Sequence, residues 1–172
     1  MKNLKLFAAF ALIFFGSLSI SAQDFGVVNV EEVLSTFPEK ANADKQLDAL
    51  VEKHQTEIRK QQEALLAIER DVQAKTEGKS QAEIQGMMPQ LEAQQQEYMT
   101  KQQALVTYQQ AAAQELGERE NALLKPIEDK VKNSINKVAA AKGLKYVMEK
   151  SLLLYSNGVD ITSDVKKDLG IN

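Results

Sequence analysis

Between Lys40 and Val72 the chain places Leu47, Val51, His54, Ile58, Gln61, Leu65, Ile68 and Val72 at alternating intervals of four and three. Such a heptad seam keeps one stripe of a helix against a partner helix, so this stretch requires a second helix alongside it. The same spacing recurs through Ile84, Met88, Leu91, Gln95, Tyr98, Gln102, Leu105, Gln109, Ala112, Leu116, Arg119 and Leu123. Gln95, Gln102, Gln109 and Arg119 make four of those twelve inner positions polar, which predicts loose packing along the middle of the pair.

The link Thr76-Glu77-Gly78-Lys79-Ser80 carries a glycine suited to a helix C-terminus, and Ser80-x-x-Glu83 is a capping box that opens the next helix. A link this short makes the two helices antiparallel neighbours. At about 1.5 Å rise per residue an arm of about thirty residues spans roughly 50 Å, so the hairpin is expected to project from the rest of the chain. Gly86-Met87-Met88-Pro89 predicts a short tip helix followed by a restart or a kink, because proline offers no amide donor and crowds the preceding turn. The arm is expected over 40–117, with its tip at about 76–90.

The two chain ends read as a base for the arm, over 23–39 and 118–172. Phe25-Gly26-Val27-Val28-Asn29-Val30 reads as a strand and Glu31 to Thr36 as a helical turn or two, while Thr36-Phe37-Pro38-Glu39 resembles a second capping box with proline in the first turn. Ile127, Val131, Ile135, Val138 and Ala139 continue a helical stripe that stops at Lys142-Gly143. Leu144 to Glu149 and Leu152 to Tyr155 read as strands, Ser156-Asn157-Gly158 as a turn, and Asp160 to Asp164 as the cap of a last short helix bearing Val165 and Leu169 and ending at Gly170.

Three short strands cannot close a core by themselves. The base is therefore expected to be completed by other copies of the chain, with Val27, Val28, Val30, Val147, Leu152, Leu153, Leu154 and Ile161 filling the shared interior. The fold class is mainly α with a small β body, from which a long antiparallel coiled-coil hairpin extends. Gly117 and Pro126 interrupt the returning helix and are the expected hinges.

Lys2 and Lys5, an apolar run from Leu6 to Phe15 and a stretch rich in small residues from Ser17 to Ala22 read as a secretory leader cleaved after Ala22; an uncleaved anchor is the other reading. Removing Lys2 and Lys5 from the 21 basic residues leaves 19 against 24 acidic ones, a net charge of −5. That balance argues against a nucleic-acid binder, which needs a basic face to replace counterions on phosphate. With no cysteine among the 172 residues, disulfides, thiolate metal sites and thiol nucleophiles are excluded.

The chain offers little catalytic chemistry. His54 is the one histidine and lies on the seam, where a polar residue more often sets helix register than binds metal. Acids such as Glu31, Glu63, Asp71 and Glu115 alternate with lysine and arginine, as on a solvated helix surface. No phosphate loop, nucleophile elbow or zinc signature occurs, so neither an enzyme nor a cofactor is expected. The glutamines of the arms soften the seam, and Met87, Met88 and Met99 supply adaptable thioethers suited to packing or to irregular ligands.

The Val27-Val28-Asn29-Val30 strand, the Phe37-Pro38-Glu39 entry to a charged hairpin, and the tail from Gly143 to Leu169 with its Asp160-Ile161-Thr162 turn together resemble the Skp (OmpH-like) family of periplasmic chaperones. The resemblance covers the chain beyond the leader. It implies a homotrimer with arms around a cavity, acting as an ATP-independent holdase for unfolded outer-membrane proteins. Client contact would then fall on the inner face and tip of the arm, at Leu65, Ile68, Val72, Met87, Met88, Leu91 and Tyr98. The acidic balance departs from strongly basic members, and weak contact with a membrane surface stays open.

A different class is a periplasmic coiled-coil adaptor docking a defined partner helix to helix. Such adaptors usually carry sizeable β domains beside the hairpin and a continuous apolar seam. Here the flanks are short, and Gln95, Gln102 and Gln109 are expected to interrupt the seam.

Overall fold

The computed structural model describes residues 25–171; the expected leader and cleavage site lie outside them. The element order is β1 (Phe25–Val28), α1 (Val30–Ser35), α2 (Pro38–Thr76), α3 (Gln81–Ala141), β2 (Tyr146–Glu149), a 3-10 turn (Lys150–Leu152), β3 (Val159–Asp160) and α4 (Thr162–Asp168). The chain divides into two compact units, an arm from Thr36 to Asp129 and a body formed by the residues on either side, with α3 running from one unit into the other.

In the arm, side-chain bonds cross between Gln46 and Arg119, His54 and Tyr108, and Asp71 and Gln94. Numbers rise on α2 as they fall on α3, so the pair is antiparallel. The seam of α2 is as expected: His54 and Leu65 are buried, and Leu47, Val51, Ile58, Gln61, Ile68 and Val72 are half-buried.

The seam of α3 is shifted over part of its length. Met88, Gln95, Gln102 and Gln109 face solvent, and their neighbours Met87, Gln94, Lys101 and Tyr108 take the half-buried positions. With Ile84, Leu91, Tyr98, Leu105 and Ala112, these form an unbroken three-four repeat. The interruption of the seam therefore comes from Gln94, Lys101 and Tyr108 rather than from Gln95, Gln102 and Gln109.

The helix ends carry mixed outcomes. Ser80 and Glu83 form the reciprocal box: the Ser80 amide donates to Glu83 Oε2 at 2.8 Å, and the Glu83 amide to Ser80 Oγ at 3.4 Å. At the start of α2 the N-cap is Phe37, one residue beyond the expected Thr36, and it makes no side-chain cap, while Pro38 takes the first turn. No restart follows Pro89, because α3 is continuous from Gln81 to Ala141 with both Pro89 and Pro126 inside it. Both prolines, together with Gln85 and Ala122 whose carbonyls they leave unpaired, lie on exposed positions, so water can take the freed acceptors.

The body holds a three-stranded parallel sheet ordered β2-β1-β3. Phe25 aligns with Tyr146 and Val28 with Glu149 on one side, and Gly26 aligns with Val159 on the other. Central β1 buries Val27 and Val28. A side chain at Gly26 would meet Leu144 Cδ1 at 2.6 Å and the Val159 carbonyl at 3.4 Å, so the sheet's close approach requires glycine there.

The first strand ends earlier than its valines suggest. Asn29 Oδ1 accepts from the Glu32 amide at 3.0 Å and Glu149 Oε2 from the Val30 amide at 3.0 Å, so two side chains cap α1 and Val30 becomes its first helical residue. The Leu152–Tyr155 run is not a strand but the end of a 3-10 turn and irregular chain, and the third strand is Val159–Asp160. At the end of α3, Gly143 adopts φ 68° while the Leu144 amide returns to the Ala139 carbonyl at 3.0 Å, a left-handed cap that ends the helix. Val33, Ile161 and Val165 have zero exposure and, with Val131, Val138 and Ile171, make the core of the body.

Candidate functional site

On the arm, between the distal parts of α2 and α3, lies a groove of about 660 Å³. Its apolar lining comes from Ile68 and Val72 of α2 and Leu91 and Tyr98 of α3, with Glu69, Thr76 and three glutamines around them. Gln94 shares this lining with Ile68 and Val72, placing a polar amide among the apolar side chains. The Tyr98 hydroxyl donates to the Glu69 carboxylate, and that bond pushes the tyrosine pKa up.

Beside the groove Gln94 Nε2 and Lys75 Nζ both donate to the Asp71 carboxylate, which lowers the Asp71 pKa, chiefly through the lysine. Gln94 nonetheless leaves its amide oxygen buried without a hydrogen bond, as does Gln61.

Of the residues the sequence assigned to client contact, Ile68, Val72, Leu91 and Tyr98 converge on this groove. Leu65 is 8% exposed and packs inside the hairpin, whereas Met88 is 43% exposed and Met87 half-buried. Glu69, Gln94 and Thr76 are not among the residues the sequence assigned to client contact. For Glu69 the available signal was its position beside Ile68 on α2, within reach of an aromatic on the facing helix.

Nearer the start of α2, His54 is 4% exposed and meets Tyr108 across the pair of helices. Its Nδ1 lies 2.9 Å from the Tyr108 hydroxyl, and the rings meet edge to face at 5.7 Å. Its Nε2 stands 3.5 Å from Glu115 Oε2, outside hydrogen-bond geometry but close enough for attraction if the ring is charged. No group of three His, Asp or Glu side chains able to hold a metal occurs among the described residues, and no helix among them is long and apolar enough to cross a membrane.

The body presents a second apolar surface. Phe25 and Tyr146 stack at 5.1 Å and are 51% and 59% exposed; Leu152, Leu154 and Tyr155 are more exposed still, with Leu154 fully extended into solvent. Beside them Met148 and Leu153 line a groove of about 400 Å³. Of the residues assigned to a shared core, Val27, Val28 and Ile161 are already buried within one chain, Val30, Val147 and Leu153 are half-buried, and Leu152 and Leu154 are exposed.

Ion pairs also link elements of the body. Asp160 receives Lys150 at 2.8 Å, the Thr162 hydroxyl at 2.6 Å and the Thr162 amide at 3.0 Å, and these bonds, the lysine's first and the hydroxyl's next, pull its pKa from 3.8 to about 2. Asp164 and Asp168 are likewise lowered, by Lys142 and by Lys137 with Ser134. Thr162 Oγ1 accepts from the Asn29 amide at 2.9 Å, which ties α4 to the end of β1.

Comparison with known proteins agrees with this architecture. A crystal structure of an OmpH-like protein from Caulobacter crescentus, described as an outer membrane chaperone, superposes with a TM-score of 0.68 at 17% identity, covering 90% of this chain and 88% of that one. A search of curated protein sequences returns no match. The profile of the family described as "Outer membrane protein (OmpH-like)" matches residues 24–169, the arm and the body alike. The chain therefore belongs to the OmpH-like family.

Proposed function

We propose that the protein is a periplasmic holdase: a homotrimer that takes unfolded outer-membrane proteins between its helical arms and keeps them from aggregating without ATP. Membership of the OmpH-like family supports a chaperone role, as does the likeness in fold to an OmpH-like protein described as a chaperone. The observation that carries the reading is the groove with an apolar lining at Ile68, Val72, Leu91 and Tyr98, set in a hairpin whose seam buries unpaired polar atoms at Gln61 and Gln94. An open wall of this kind can accept many apolar sequences without selecting one.

Trimer formation would cover the exposed Leu152, Leu154 and Tyr155, which a solitary body leaves in water. Gly117 and Pro126 would serve as pivots that let the arms splay around a large client. The leader would be removed near Ala22, so protein recovered from the periplasm should begin at Gln23.

The test is to dilute a urea-unfolded β-barrel membrane protein into buffer with the chaperone and no nucleotide, and to follow light scattering. Suppression near one trimer per client is expected; undiminished aggregation would reject the holdase. Sedimentation tests the assembly separately. A compact monomer at micromolar concentration would overturn the trimer, and Leu154→Asp should dissociate it while leaving the body folded, because that side chain packs on nothing within its own chain.

A further inference from the structure

The groove on the arm is lined by one carboxylate, Glu69, and by no cation. That carboxylate is exposed and accepts from the Tyr98 hydroxyl, which ties it to the apolar lining while leaving it lone pairs for a second donor. The nearby Lys75 is already held by Asp71. The surroundings have the same sign: Thr36–Asp129 carries 17 acidic against 11 basic side chains, a net charge of −6, whereas the described part of the body carries 6 against 8, a net of +2.

The geometry points to a groove that takes a bulky apolar side chain from an extended segment with a lysine or arginine two positions away, the cation lying at Glu69. The spacing follows from the extended backbone, in which alternate side chains share a face and stand roughly 7 Å apart. The groove's volume of about 660 Å³ falls within the span of about 300–1,000 Å³ usual for sites holding small ligands. Burial of the apolar side chain supplies the attraction, and Glu69 supplies the choice among segments of equal apolarity. This deepens the proposed chaperone activity and rests on it for the occupant, a stretch of non-native polypeptide.

Three fluorescent peptides test it, identical except for lysine, glutamine or glutamate two residues from a central phenylalanine, titrated by anisotropy against the protein and against Glu69→Gln. The variant lies on an exposed position and keeps an acceptor oxygen for Tyr98, so its melting temperature should match that of the parent. The lysine peptide should bind about twofold to fivefold more tightly than the glutamate peptide, the range expected of a solvent-exposed ion pair. That ratio should fall towards one in Glu69→Gln and in high salt. Equal affinities in the parent protein, a ratio unchanged by the substitution, or no binding of any peptide would overturn the inference. If any of these accompanies full suppression of client aggregation, the holdase stands without charge selection. A preference carried by Glu69 in a protein that suppresses no aggregation would retain the site and remove the holdase.

Discussion

In the body, the buried polar side chains Ser134 and Thr162 are both hydrogen-bonded, Ser134 to Asp168 at 2.9 Å and Thr162 to Asp160 and Asn29. In the arm, His54, Gln61 and Gln94 each leave one buried atom without such a bond. Every side chain of zero relative exposure and apolar character, Val33, Ile161 and Val165, belongs to the body. The two units thus use polar groups oppositely. The body's polar groups are satisfied and fix one arrangement, whereas the arm's cost about 1–3 kcal/mol each and leave its helices only loosely committed to one another. The arm is therefore the part of the molecule expected to open at lower free energy.

The strongest challenge to it is a pair of truncations. Ile161→Ala should cost about 3 kcal/mol or more, since it empties a fully packed site, and Ile58→Ala on the half-buried seam should cost markedly less. Urea denaturation measures both, and equal losses would break the contrast. Hydrogen exchange sharpens it residue by residue: amides from about Val72 to Tyr98 should exchange faster than those of Val27, Val28 and Val165.

Next in size is a substitution that should help. Gln61→Leu removes a buried acceptor with no bond and extends the apolar seam, so the arm should gain about 1 kcal/mol. A loss of stability would mean that the Gln61 bond to Glu57 at 3.0 Å outweighs the unpaired oxygen.

The glycines provide a matched test of about 1 kcal/mol. Gly117→Ala meets nothing within 4 Å and relieves the entropic cost of a helical glycine, so it should raise the melting temperature. Gly26→Ala should lower it, because the new methyl presses on Leu144 and the Val159 carbonyl. If Gly117 is a pivot, small-angle scattering should also show a narrower spread of dimensions in the alanine variant.

The smallest effect is electrostatic. Asp160 titrates at about 2 in the folded chain against 3.8 normally, so its contribution to stability is present above about pH 4 and is lost as pH falls towards 2. Its side chain is 42% exposed, and solvent screening limits that contribution to about 1 kcal/mol or less. Asp160→Asn, which keeps an acceptor for the Thr162 amide, should be slightly less stable at neutral pH and should lose less between pH 4 and 2. An identical acid profile would show that Lys150 adds nothing to the fold.

The heptad of α2 was legible because Leu47, Ile58 and Val72 each stand between polar or charged neighbours, which fixes the phase of the repeat despite the adjacent pairs Leu50-Val51 and Leu65-Leu66. On α3 the phase was ambiguous: Met87 and Met88 are chemically alike, as are Gln94 and Gln95, and neither member of a pair declares which side faces inward. The groove was partly legible for a similar reason. Its apolar members follow from periodicity, but Glu69 joins them only because Tyr98 on the other helix reaches it.

By itself, the sequence determined the hairpin, its turn at Gly78 and Ser80, and the close of the last helix at Gly170. Each depends on contacts within a few residues or on a repeated apolar stripe. Tertiary structure alone decided that β1 lies between two parallel partners and that Val159–Asp160, rather than the oilier Leu152–Tyr155, provides the third strand. Pairing in a sheet depends on which backbone can reach β1 in register. Apolar content does not encode that reach, and the leucines passed over by the sheet remain on its surface.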